Sequence, residues 1–75
     1  MNTLIKNLQA KGFQIWFTDR DSFDIMDFHI TRIFANVKKG AGRKVLIKSS
    51  LEDEYTVCNS QKEATQWFLD YYEGI

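Results

Sequence analysis

Residues 24–37 read DIMDFHITRIFANV, and the fold turns on whether they are helix or strand. Met26, Ile30, Ile33, Phe34 and Val37 share a helical stripe with Asp24 available as its cap, so the period alone admits a helix. Composition favours a strand. Ile30, Thr31, Ile33 and Val37 are β-branched, and the segment holds no Glu, Leu or Lys before Lys38. In a strand from about Phe28 to Val37, Phe28 and Ile30 face one way while Ile33, Ala35 and Val37 face the other. A bulge near Arg32 turns all five inward.

On either side the period is two. Phe13, Ile15 and Phe17 alternate with Gln14, Trp16 and Thr18, the pattern of a half-buried strand. Downstream, Lys38-Lys39-Gly40-Ala41-Gly42 reads as a hairpin loop into a strand over Arg43 to Ser49, and Tyr55 to Asn59 forms a fourth strand.

The ends are helical. Ser60 and Glu63 make a capping box, and Ala64, Trp67, Phe68, Tyr71, Tyr72 and Ile75 recur at helical spacing, which predicts a helix over Gln61 to Glu73. At the start, Asn2 or Thr3 can cap a helix whose Met1, Leu4, Ile5 and Leu8 share a face, and Gly12 suits the left-handed position beyond it. The expected architecture is α+β: helix, four-stranded antiparallel sheet, helix, with both helices on one face. Residues 1–75 form a single domain, near the size at which a chain buries roughly 60% of its unfolded surface.

Composition and charge narrow the function. With 44% hydrophobic and 15% aromatic residues the chain is built to fold. Ten basic and ten acidic side chains cancel, yet they are sorted into blocks. Asp19, Asp21, Asp24 and Asp27 precede Arg32, Lys38, Lys39, Arg43, Lys44 and Lys48, after which Glu52, Asp53, Glu54, Glu63, Asp70 and Glu73 follow. A partner at one flank therefore meets a local sign, because fields decay over about 10 Å at ordinary ionic strength. No apolar run approaches the roughly 18 residues of a membrane span. Cys58 is the single cysteine, and Met1 to Gly12 does not read as a secretory signal, so a reducing cytoplasm is the expected location.

Catalytic chemistry lacks residues. Nucleophile activation needs a base within reach, and His29 and Cys58 are the one imidazole and the one thiol. A zinc site wants four ligands, so neither metal nor cofactor is expected. The aspartates lack the central glycine and final glutamate of a calcium loop and read more simply as turn residues. Gly40-Ala41-Gly42 fits no phosphate-loop spacing. It leaves a basic hairpin tip suited to phosphate or an acidic protein surface.

With both helices on one face, the open face should carry Gln14, Trp16, Thr18, His29, Thr31, Phe34, Lys44, Leu46, Lys48, Thr56 and Cys58. Trp16, Phe34 and Leu46, rimmed by Arg32, Lys44 and Lys48 and joined at the hairpin by Lys38, Lys39 and Arg43, form the candidate partner-binding surface. The leading expectation is a non-enzymatic protein-binding module, an inhibitor or adaptor steered by complementary charge. The alternative is single-stranded nucleic-acid binding on the open sheet, and a third reading makes that face a homodimer interface.

Leu4-Ile5-Lys6 opening the first helix, the basic hairpin, and Ser60 to Tyr72 with its Trp67-Phe68 pair give a layout that resembles small phage-encoded inhibitors, anti-CRISPR proteins among them, in size and order of elements. The resemblance implies an inhibitor of a host defence complex. The strongly acidic surface of the DNA-mimicking members is missing here.

Overall fold

A computed structural model describes residues 1–26 and 33–73, with side chains for 1–26 and 35–71. Its elements are α1 (Asn2–Ala10), β1 (Gln14–Asp19), β2 (Ser22–Met26), β3 (Ile33–Lys39), β4 (Val45–Ser49), β5 (Thr56–Cys58) and α2 (Gln61–Glu73). The strands form one antiparallel sheet in chain order, β1-β2-β3-β4-β5. The class is α+β, with five strands rather than four.

The additional strand is β2, in the stretch whose aspartates had suggested only a turn. Ser22, Phe23, Asp24, Ile25 and Met26 alternate strictly, with Phe23 and Ile25 buried and the others half-buried. Aspartate disfavours strands. It is tolerated at Asp24 because its carboxylate accepts a hydrogen bond from Asn36 on β3 at 2.7 Å. The turn itself is shorter, Arg20-Asp21, with Asp19 paired to Ser22 and its carboxylate accepting from the Arg20 amide at 2.7 Å. Residues 24–37 thus contribute to two strands. The register of β2 on β3 shifts between Ile25 and Met26, which face Ala35 and Ile33. The segment Phe28 to Arg32 and the bulge expected near Arg32 lie outside the described residues.

β3 continues through Lys38 and Lys39, where the sequence predicts the loop. The connection that remains is closed by the Gly40 amide donating to Lys44 O at 2.8 Å, with Gly42 at φ +62°.

One core cluster joins Phe23, Ile25, Ala35, Val37, Val45, Ile47 and Cys58 from one sheet face with Leu4, Leu8, Ala64 and Phe68 from the helices and Phe13 between α1 and β1. Ser60 and Glu63 open α2 as expected in one half of the capping box: the Ser60 hydroxyl accepts from the Glu63 amide at 3.1 Å, while Glu63 Oε2 accepts from the amide one residue before the cap, Asn59, at 2.7 Å. Helix α1 begins differently from expectation. Met1 is its N-cap and supplies no side-chain acceptor; the Gln61 side chain accepts the Leu4 amide at 2.9 Å instead. Its end is a Schellman motif, with Gly12 at φ +96° and bonds from the Phe13 amide to Leu8 O and the Gly12 amide to Gln9 O.

The helices meet Leu4 to Gln61, Asn7 to Thr65 and, just beyond α1, Phe13 to Phe68. These contacts advance in the same direction along both chains, so α1 and α2 run parallel and their N-termini lie at one end.

Burial departs from the sequence pattern at three places. Phe17 pairs with Phe23 on the helix side of the sheet, yet it is 65% exposed. It sits on an edge strand, beside β2 alone among the described residues. Trp67 is half-buried, stacked on Tyr71 with ring centroids 5.2 Å apart and edge-on to Phe68. Cys58, placed on the open face by its sequence position, pairs with Val45 and is buried on the core side, and Thr56 shares that side opposite Ile47. Val57 takes the open face.

Candidate functional site

Two cross-strand rows run the width of the open face, with the pair Gln14–Met26 beside them on β1 and β2. Trp16, Asp24, Asn36 and Lys48 form one, and Ser22, Lys38, Leu46 and Val57 the other. Of the anticipated residues, Trp16 is 59% exposed, Leu46 and Lys48 are half-buried, and Phe34 lies in β3 with its side chain outside the described set. Arg32, His29 and Thr31 also lie outside the described residues.

The centre of this face is roofed by a residue that strand alternation does not mark. Tyr55, immediately before β5, donates its hydroxyl to Asn36 Oδ1 at 2.6 Å. Asn36 Nδ2 in turn donates to Asp24 Oδ1 at 2.7 Å and lies 3.3 Å from Phe23 O and 3.4 Å from Ser22 Oγ. The ammonium of Lys38 stands 4.6 Å from the Tyr55 ring centroid and that of Lys48 5.2 Å, cation–π contacts worth about 0.5 to 1 kcal/mol each at an exposed site. Sequence held one signal of this network: Asn36 is a polar residue between the apolar Ala35 and Val37, which marks the solvent side of β3.

The face is therefore electrically divided. Asp24 lies beside Trp16 on the β1–β2 side, and Lys38 and Lys48 occupy the β3–β4 side. At the outer limit β1 has no strand partner among the described residues beyond β2. Trp16 and Phe17, successive on that edge strand, project to opposite faces and are both exposed.

The hairpin cations separate in part, since Lys38 and Lys39 both line a cleft of about 440 Å³ with Asp19, Arg20 and Asp21. Lys38 belongs to the open face, whereas Lys39, Arg43 and Lys44 line a cleft of about 460 Å³ on the helix side, with Met1, Ser60 and Gln61 across from them. Cys58 belongs to neither surface. Its thiol pKa is raised, by burial first and by the Glu63 carboxylate second, which leaves it a poor nucleophile. No group of three or more His, Cys, Asp or Glu placed to hold a metal occurs among the described residues, and no helix among them is long and apolar enough to cross a membrane.

No protein-family model matches the chain, and neither a curated protein nor a solved structure matches it.

Proposed function

We propose that this protein is a non-enzymatic binding module, an inhibitor or adaptor that docks an extended segment of a partner protein along β1. The observation that carries this reading is the pair Trp16 and Phe17, 59% and 65% exposed on adjacent positions of an edge strand. Edge strands are ordinarily protected by lysine, proline or short length. Gln14–Asp19 has six residues and neither lysine nor proline. An added strand would satisfy the edge amides and carbonyls while each aromatic takes one face of the incoming chain. Lys38 and Lys48, held beside Tyr55, favour a partner with carboxylates over that half of the sheet. The resemblance in size and order of elements to phage-encoded inhibitors supports the inhibitor reading, for which a host defence complex such as a CRISPR effector is the proposed class of target.

A single-stranded nucleic acid is the second reading, supported by lysines interleaved with Trp16 and Tyr55 on one face. Two observations weigh against it: the Tyr55 ring is already engaged by ammonium groups, and Asp24 stands beside Trp16, where a phosphate would be repelled.

The test is crosslinked capture from the native host, with Trp16→Ala and Phe17→Ala beside wild type and the captured protein then titrated in purified form. Each substitution should weaken binding by about 2 kcal/mol with folding intact. Micromolar oligonucleotide binding at 150 mM salt with a log-log salt slope of about −2 to −4 would replace this reading by the second. A concentration-dependent dimer abolished by Trp16→Ala would replace it by self-association.

A further inference from the structure

The cleft between the β3–β4 hairpin and the helix starts shares neither Trp16 nor Phe17 with the docking edge. Ala35, Val37 and Lys39 are successive helix-side positions of β3. The pair Lys39–Val45 lies one step beyond the core pair Val37–Ile47, so Lys39 takes the place where the core gives out toward the start of α2. Arg43 and Lys44 come from the adjoining turn, and Met1, Ser60 and Gln61 form the opposite wall.

The cleft's chemistry is one-sided. Three cationic residues, Lys39, Arg43 and Lys44, line it, and among the described residues no acidic or aromatic residue does. Glu63, the acid in the first turn of α2, accepts from the Asn59 amide and does not line the cleft, though its charge offsets part of the dipole at that helix start. Gln61 commits its carbonyl oxygen to Leu4, so the other half of its amide is a donor. Because the helices are parallel, both positive dipole ends lie at this end of the molecule, each equivalent to about half a charge. A volume of about 460 Å³ exceeds a lone inorganic anion and falls within the roughly 300–1,000 Å³ of small-ligand sites.

We propose that this cleft binds the polyphosphate group of a small molecule. Several cations around one opening suit a ligand with more than one phosphate, and the absence of a lining ring leaves no stacking surface for a base. Recognition therefore falls on the phosphates, whether free or carried by a nucleotide.

Lys38 and Lys39 provide the test, being neighbours with equal charge on opposite faces. Pyrophosphate, inorganic phosphate and ADP are titrated into the full chain at low salt, read by calorimetry and by amide chemical shifts. Pyrophosphate should bind at least about tenfold tighter than inorganic phosphate, with shifts centred on Gly42, Arg43, Ser60 and Gln61. Lys39→Gln combined with Arg43→Gln should lower affinity about tenfold or more, while Lys38→Gln changes it less than about twofold. Both lysines are exposed, and thermal melts establish that the variants fold. ADP should match pyrophosphate; tighter ADP binding by more than about tenfold would overturn recognition through phosphate alone. Equal weakening by Lys38→Gln and Lys39→Gln, or failure of pyrophosphate to saturate, would overturn the site.

Discussion

Gln61 Oε1 accepts the Leu4 amide at 2.9 Å, so the first residue of α2 supplies the acceptor that Met1 does not give α1. Gln61→Ala should lower stability by about 1 kcal/mol in urea denaturation, the loss typical of a helix cap. Gln61→Glu retains the acceptor and should recover most of that loss. Unchanged stability in Gln61→Ala would mean that water serves the Leu4 amide equally well.

The two aromatic neighbours of α2 should differ in cost. Phe68 is fully buried, and Phe68→Ala should lose about 3 to 5 kcal/mol, leaving little of the fold at 37 °C. Trp67 is half-buried, so Trp67→Ala should cost roughly half as much and still melt cooperatively. Equal losses would place Trp67 deeper than its packing on Tyr71 indicates.

Tyr55→Phe removes the hydroxyl bonded to Asn36 while keeping the ring beside Lys38 and Lys48. The expected loss is about 1 kcal/mol. A double-mutant cycle with Asn36→Ala should show coupling of similar size; additive effects would show that the 2.6 Å bond does not contribute to stability.

The alkaline limit should report on Cys58. Its native pKa lies above the ordinary 9.0 because burial, aided by Glu63, disfavours the thiolate. A raised native pKa means that the unfolded chain releases the proton first. The associated stability is complete below the ordinary thiol range and is lost as pH rises through the native pKa. Cys58→Ala should flatten that alkaline leg, and the wild-type thiol should resist alkylation at pH 8.

Helix α2 was legible because a capping box and a six-position apolar stripe agree, two signals independent of tertiary packing. Helix α1 and its Gly12 stop were legible from the apolar stripe and the glycine, whereas the expected Asn2 or Thr3 cap is replaced by Gln61, which no local pattern reveals. β2 was hidden by aspartate: Asp24 reads as turn chemistry until Asn36 is placed across from it. Cys58 and Phe17 went to the wrong environments for a shared reason. Alternation assigns faces only relative to a register, and whether a helix covers a given face is decided elsewhere in the chain. The open face was half legible, since Trp16, Leu46 and Lys48 follow from alternation, whereas Tyr55 reaches Asn36 from outside any strand.

Every strand pairs with the one before it in the chain, so each step of the sheet closes a short loop. The helices meet across 57 residues between Leu4 and Gln61. Hairpins form in roughly 1–10 μs, and the entropy of closing a loop rises with its length, so the sheet should zip first and α1 should dock last. A nine-residue helix is marginal by itself. The same seam should therefore open first in the native state, with the amides of Leu4 to Ala10 exchanging with solvent by a local detachment while those of Ile25, Val37 and Ile47 wait for global unfolding.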